Sequence, residues 1–295
     1  MPVTFKFLHD DKTVEAGFRR IALEQIEKAL DQLHSDESSD KVIHGVRRRC
    51  KRLRGLIRLV RPSFPGYAIE NAAIRDAAAG LSHFRDALVM LETYDSLWKH
   101  TSLRPSKVAR QWLADHGANQ AGQRNVLQAL EECEAQLSGV GRRIQGWQLC
   151  ADSFEAIGGG LKQVYSAKRA AMRKAGRQPS AVNFHEWRKV AKYHLHHLEL
   201  MRASAPEIVS GFRDCASKLA DALGDHHNLD LLAVAFKDAG EIPDLKDDIE
   251  AISSAITHQT RELEHQAFEL GGELSAERPR AFVDRYAQYW EDWRG

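Results

Sequence analysis

The chain has 295 residues, of which 43% are hydrophobic and 28% are charged, and its formal net charge is +1. This composition is typical of a soluble globular protein with a substantial core rather than of a disordered chain. The first residues lack the basic and apolar segments of a secretory signal, and no apolar run of about 18 residues could span a bilayer. We therefore expect a cytoplasmic protein without a membrane segment.

A mostly helical fold is predicted, since there are only 8 prolines and apolar residues recur at helical spacing. Residues 3–9 alternate apolar and polar side chains, which predicts a short extended arm or an edge strand. Helices follow at 14–34, 40–61, 67–100, 105–138, 140–175, 181–203, 206–239, 243–270 and 277–293. No Gly-rich phosphate loop accompanies them, so neither a P-loop nor a dinucleotide-binding unit is expected.

The cysteines are widely spaced and form no C-x-x-C pair. Each lies in a helical pattern, which predicts reduced thiols in the core and excludes a zinc site or a disulfide framework built from them. They are Cys50, Cys133, Cys150 and Cys215.

Positive charge is concentrated in two blocks. Residues 41–61 hold nine Lys/Arg and no acidic residue, and residues 162–202 hold ten Lys/Arg with two acidic residues. The rest of the chain is correspondingly acidic. This asymmetry predicts a localised anion site rather than general adhesion to polyanions.

An internal repeat links these two blocks. "HGVRRRCKRLRGLIRL" begins at His44, and "HEWRKVAKYHLHHLEL" begins 141 residues later at His185. Each copy has His, then Arg three residues on and Lys seven residues on. A second pair, "LSHFRDALV" from Leu81 and "LGDHHNLDL" from Leu223, follows the histidines by 37 and 38 residues. We interpret the chain as a duplicated helical unit.

Helical projection sorts each basic block into an apolar face and a cationic stripe, the first of which is about 80° wide. Arg49 falls off the first stripe, and His194 and His197 fall on the apolar side of the second helix, where core histidines are expected. Tyr193 lies to one flank. The first stripe contains His44, Arg47, Lys51, Arg54 and Arg58, flanked by Arg48 and Arg52; the second contains His185, Arg188, Lys189, Lys192 and His196.

Stacked like charges repel, so the stripes need countercharge. The countercharge could come from the acidic remainder of the chain, as an ion-pair network, or from an external polyanion. Because the stripe occurs twice in the chain, the external polyanion is favoured. Arginine forks pair well with phosphate. The stripes carry no aromatic platform for bases, which disfavours nucleic acid except as a nonspecific ligand. Histidine at the head of each stripe predicts tighter anion binding at lower pH.

The repeated H-x-x-R-x-x-x-K motif, followed by an L-G-x-x-R-D-like segment, resembles the CHAD family, the conserved histidine α-helical domain. The second segment has Arg85 and Asp86 in the first copy and His227 and Asn228 in the second. Ser82 replaces the glycine that the pattern expects, and Asn228 replaces its aspartate. The resemblance covers almost the whole chain.

The resemblance implies an all-α fold of two four-helix bundles related by pseudo-twofold symmetry, with a basic cavity between them. Residues 1–295 would form one domain, with an arm at 1–12 and repeats at about 13–150 and 151–295. It implies noncatalytic binding of inorganic polyphosphate, no cofactor or metal, and a location at cytoplasmic polyphosphate granules with polyphosphate-metabolising proteins as partners. It adds Arg85 and His227 to the stripe residues as polyphosphate ligands.

Three alternatives stay open. A metal-dependent phosphohydrolase could use the carboxylates and imidazoles of Asp225, His226, His227 and Asp230, although these span two faces of one helix. Nonspecific nucleic-acid binding is the second alternative. A purely structural or partner-binding helical protein is the third.

Overall fold

The computed structural model describes residues 5–99, 105–121, 125–238 and 245–295. These ranges contain α-helices joined by short loops and two 3₁₀ turns, and no strand. The helices are α1 (Val14–Leu33), α2 (Ser39–Leu59), α3 (Tyr67–Ala79), α4 (Ser82–Leu97), α5 (Lys107–Ala121), α6 (Val126–Ile144), α7 (Ser153–Arg177), α8 (Ala181–Met201), α9 (Pro206–Asp238), α10 (Lys246–Glu273) and α11 (Pro279–Arg294).

Two groups of four helices follow one another along the chain. In the first group, α1 packs on α2, α2 on α3, α3 on α6 and α6 on α1. In the second group, α7, α8, α9 and α10 pack in the same cyclic order. The all-α fold is confirmed, and a pseudo-twofold relation between the groups stays a prediction.

The groups meet through α2 and α8, the helices of the two basic blocks, which pack directly against each other. The large core continues across this junction. A smaller apolar cluster lies where α4, α5, the end of α9 and the start of α10 meet, around Tyr94, Leu113 and Phe236. The junction therefore brings the two copies of the repeated motif into one region.

Three predicted helices have different bounds in the structure. The span 67–100 is divided at Gly80 and Leu81, because glycine has poor helix propensity and the chain turns there. The span 105–138 is divided before α6, where the Asn125 side chain accepts a hydrogen bond from the backbone N–H of Leu127 (3.0 Å). The span 140–175 is divided because residues 145–152 form a loop, whose Asp152 accepts from the Val14 N–H.

The N-terminal arm is not an edge strand over residues 5–9, and residues 1–4 lie outside the described part. Its alternating apolar side chains, Phe5 and Phe7, are buried against helices. The Phe7 N–H donates to the Leu200 carbonyl oxygen at the end of α8 (3.2 Å), and its ring contacts Trp290 edge-on. No neighbouring described strand is available, so the period-2 pattern serves packing on helices instead.

The cysteine prediction is correct only in part. All four thiols are free, and Cys50 and Cys133 are buried. Cys150 is exposed in the loop before α7, and Cys215 is partly exposed. The prediction of a helix around Cys150 is wrong, because α6 ends at Ile144 and Cys150 lies in the loop that follows.

Candidate functional site

The amphipathic character of α2 directs its cations away from the core. Val46, Leu53 and Ile57 are completely buried, as the projection predicts. Arg49 lies off the cationic stripe, and its Nη1 donates to Gln25 Oε1 of α1 (3.3 Å). The basic face of α2 is thereby available to the space between the helices.

The second basic helix, α8, buries Trp187, Leu198 and Met201. His194 and His197 are almost fully buried, as predicted for core histidines. Burial lowers the pKa of His194 well below its ordinary value and lowers the pKa of His197 to about 3. Both imidazoles are therefore neutral groups of the core.

An open cavity of about 450 Å³ lies between α2 and α8, with α4 and α9 completing its wall. Both repeats contribute cations to it, and its described lining has six Lys/Arg side chains and two carboxylates. Its lining consists of His44, Arg47, Arg48, Lys51, Arg52, Val89, Arg188, Lys192, His196, Glu199, Asp221, His227, Asn228 and Leu231. We call this the first cavity. It brings together nine of the residues that the sequence predicts for the site.

In the first repeat, the two sequence motifs meet at Arg47. Its Nη1 donates to the Ser82 hydroxyl (2.6 Å) and to the Ala78 carbonyl oxygen (3.1 Å). Ser82, which replaces the expected glycine, therefore positions an arginine of the first cavity. The side chain of Arg85, in the same motif, lies outside the described part of the chain.

In the second repeat, the motifs meet around Arg188. The rings of His185 and His227 lie 4.6 Å apart, and a Cβ added to Gly224 would lie 3.8 Å from Arg188 Nε. His185 does not line the first cavity and packs beside His227. Proximity of the motif pair is thus common to both repeats.

Three histidines of the site, His227, His185 and His196, have pKa values below that of a free imidazole. Burial and the charge of Arg188 together lower the pKa of His227 to about 4. Burial and the charges of Lys189 and Arg188 lower the pKa of His185. Burial also lowers the pKa of His196, although its partner Glu199 opposes that effect. An anion in the first cavity would raise the pKa of His227 and favour its protonation.

Two carboxylates of the first cavity were missed as site residues. Glu199 accepts from His196 (Nδ1 to Oε2, 3.1 Å) and lies 3.6 Å from Arg52. Asp221 of α9 lies 3.4 Å from Lys192 Nζ. Projection of α8 places Glu199 on the cationic stripe, so that signal was present. Asp221 precedes the second motif and carries no comparable signal.

The predicted stripes are divided between two cavities. Arg54 and Arg58 of α2 and Lys189 of α8 line a second cavity of about 300 Å³, together with Arg61, Tyr193 and residues of α7. We call this the second cavity. Arg58 lies 4.0 Å from the centre of the Tyr193 ring, and Arg54 and Arg58 both donate to Asn71 Oδ1. Each predicted stripe is therefore divided between the first cavity and the second cavity.

The histidines that the hydrolase alternative assigns to a metal site, His226 and His227, lie on different faces of α9. His226 is buried between the Asp230 and Glu264 carboxylates, at 3.2 Å from each, whereas His227 faces His185 and the first cavity. Within the described ranges, no group of three or more His, Cys, Asp or Glu side chains could hold a metal ion.

None of the helices in the described ranges combines the length and apolar character needed to cross a membrane.

Fold and site together define a helical protein in which two repeats each supply one basic helix to a shared cavity. The model of the CHAD domain family matches residues 20–237, and the chain belongs to that family. It is similar to the crystal structure of the CHAD domain from the plant Ricinus communis, with a TM-score of 0.57 and 16% identity over 95% of this chain and 99% of that chain. At this identity the likeness establishes the fold. No curated protein matches the chain significantly.

Proposed function

We propose that this protein binds inorganic polyphosphate in the first cavity without cleaving it. One observation carries the proposal: in the described lining, six Lys/Arg side chains from both repeats face a single open volume together with two carboxylates. Like charges in a cleft repel one another, and low-dielectric walls strengthen that repulsion. A bound polyanion would relieve it.

The chemistry of the lining favours phosphate over nucleobases. Four arginines supply forked donors that match phosphate oxygens. Val89 and Leu231 are the purely apolar side chains of the described lining, and no aromatic ring other than imidazole lines the first cavity there. A chain of phosphates needs neither stacking nor groove-edge contacts, unlike RNA or DNA. The association of the CHAD family with polyphosphate supports the same ligand.

Binding without cleavage suits a protein held at polyphosphate granules in the cytoplasm. Proteins that metabolise polyphosphate are the partners we expect at that location. No cofactor or metal takes part in the proposed binding.

Charge reversal within the first cavity tests the proposal. Arg48 and Lys192 are suitable because Arg48 is exposed and the ion-pair partner of Lys192, Asp221, is itself exposed. We expect Arg48→Glu/Lys192→Glu to weaken polyphosphate binding by more than about tenfold at low salt and to reduce the salt dependence of binding. The matched control, Lys107→Glu/Arg280→Glu, changes the charge equally at exposed positions of α5 and α11. Equal affinity of both variants and wild type would refute the proposal.

Two further measurements separate the alternatives. The first is competition between RNA and polyphosphate at equal phosphate concentration. A nonspecific nucleic-acid binder should release bound polyphosphate to RNA as readily as to free polyphosphate, whereas a polyphosphate-binding protein should not. Release of free phosphate from polyphosphate, with and without a divalent metal, tests for a hydrolase. Sustained metal-dependent release would contradict noncatalytic binding.

A further inference from the structure

The N-terminal arm contacts two residues of the first cavity through Phe5. The guanidinium carbon of Arg52 lies 5.1 Å from the centre of the Phe5 ring. The His196 ring meets the same ring edge-on, with their centres 5.8 Å apart. Arg52 comes from α2 and His196 from α8, and both line the first cavity, whereas Phe5 does not and is only 7% exposed. The Phe5 ring therefore lies behind one site residue from each basic helix.

Hydrogen bonds from two arginines hold the arm that carries Phe5. Arg20 of α1 donates from Nη2 to the Lys6 carbonyl oxygen (3.0 Å) and from Nε and Nη2 to the two carboxylate oxygens of Asp11 (2.7 and 2.8 Å). Arg294 of α11 donates to the Asp11 carbonyl oxygen (2.8 Å). Because the Lys6 carbonyl belongs to the next residue along the chain, the backbone beside Phe5 is fixed, and the ring is a stationary surface for its neighbours.

The contact with Phe5 orients the guanidinium of Arg52 without neutralising it. Arg52 Nη2 lies 3.6 Å from Glu199 Oε1, which is too long for a good hydrogen bond. A cation within about 6 Å of a ring centre is attracted by the negative π face of the ring. The ring carries no net charge, so the positive charge of Arg52 stays available to an anion. A carboxylate in the place of the ring would cancel that charge.

Restricting Arg52 before binding strengthens binding. Its side chain is 26% exposed, and a long, partly exposed arginine loses rotamer freedom when it is fixed against a ligand. A neighbour that already limits its conformations reduces this loss, and affinity rises without any further contact to the ligand.

We propose that Phe5 is a positioning residue of the first cavity, which holds the guanidinium of Arg52 in the orientation that binds phosphate. This inference rests on the proposed function of the first cavity. Phe5 does not touch the polymer, and its whole effect on binding passes through Arg52. The N-terminal arm is accordingly part of the binding device as well as part of the core.

Substitutions in the arm test this role by polyphosphate titration at low salt. Phe5→Leu removes the π face and keeps an apolar side chain, so we expect affinity to fall by about three- to tenfold. Phe5→Tyr keeps the π face and should stay within about twofold of wild type. The matched control is Phe7→Leu, two residues further along the arm. The Phe7 ring is fully buried and contacts Trp290, so this substitution should lower stability and leave affinity unchanged.

A double-mutant cycle separates positioning from a general structural role. In an Arg52→Gln background there is no guanidinium for the ring to orient, so Phe5→Leu should have little further effect on affinity. A general distortion of the first cavity would weaken binding equally in both backgrounds. Phe5→pentafluorophenylalanine keeps the shape of the ring but removes its negative face. It should weaken binding as Phe5→Leu does, and it tests the proposal even where Phe5→Leu does not fold.

The outcomes separate this inference from the proposed function. If wild type binds polyphosphate, then unchanged affinity of Phe5→Leu, an equal loss in both backgrounds, or wild-type affinity of the fluorinated variant overturns the positioning role alone. Failure of wild type to bind polyphosphate overturns both.

Discussion

The imidazole of His197 in α8 donates a hydrogen bond to the carbonyl oxygen of Gly55 in α2, with Nε2 3.1 Å from the oxygen. Because burial lowers the pKa of His197 to about 3, the ring is neutral and must carry its proton on Nε2 to make this bond. The two basic helices are therefore joined at a point between the cavities. Gly55 allows this approach, since an added Cβ would lie 2.8 Å from His196 Cβ.

Gly55→Ala should separate α2 from α8. The new methyl group meets a Cβ atom, which cannot rotate away, so we expect a loss of about 1–3 kcal/mol in the free energy of unfolding and weaker polyphosphate binding. Denaturant titration and binding measurements check both effects. The control is Gly211→Ala in α9, where no atom lies within 4 Å of the added Cβ and helix propensity predicts a gain of about 0.5–1 kcal/mol. Equal stability of the two variants would contradict close packing at Gly55.

Asp221→Asn should tighten polyphosphate binding. The carboxylate repels phosphate at the edge of the first cavity and neutralises Lys192, 3.4 Å away. It is 67% exposed, so removing its charge should change binding by about 0.2–1 kcal/mol, or a few-fold at most, and the gain should fade at high salt. Asp284→Asn, at a similarly exposed position paired with Arg280, should leave affinity unchanged. Equal effects of the two substitutions would indicate only a change in net charge.

Polyphosphate affinity should rise as pH falls from 8 to 5, in part through His227. Burial, Arg188 and His185 lower its pKa to about 4 in the free protein, whereas Asp230 opposes them and His226 adds to them. Bound phosphate raises this pKa, so binding takes up a proton and is favoured at lower pH. His227→Gln should flatten the pH profile while retaining affinity at pH 8. Wild type and variant are titrated with the same polymer, so the polymer's own protonation affects both equally. Identical pH profiles would show that His227 does not contribute to the pH dependence of binding.

Lys168 of α7 should make stability depend on pH. Its ammonium is almost fully buried, and its Nζ donates to the Leu274 carbonyl oxygen. Burial, together with the charge of Arg169, lowers its pKa from 10.5 to about 7. Between these pH values the unfolded chain holds a proton that the folded chain has lost, so the free energy of unfolding rises with pH.

Lys168→Met should remove that dependence. The difference in unfolding free energy between wild type and variant should change by up to about 1.4 kcal/mol per pH unit between pH 7 and 10. Denaturant titrations at several pH values measure it. A constant difference would show that Lys168 keeps its ordinary pKa in the folded protein.

The all-α fold and much of the first cavity could be predicted from the sequence. Both rest on local periodicity: a cation at every third or fourth position must share a helix face with its neighbours, wherever that helix lies. The repeated spacing of the motifs likewise indicated two related halves. Helix ends were less predictable around Gly80 and residues 145–152, because tertiary contacts such as the Asp152–Val14 hydrogen bond determine where the chain turns.

The sequence by itself determined which side chains form a basic surface, since helix geometry is local and the charges are fixed by residue type. Only the tertiary structure decided which of them face one another. Arg54, Arg58 and Lys189 belong to the predicted stripes, yet they line the second cavity. Gly55 and His197 bring α2 and α8 into contact, and that packing divides each charged helix between two volumes that no projection of a single helix can distinguish.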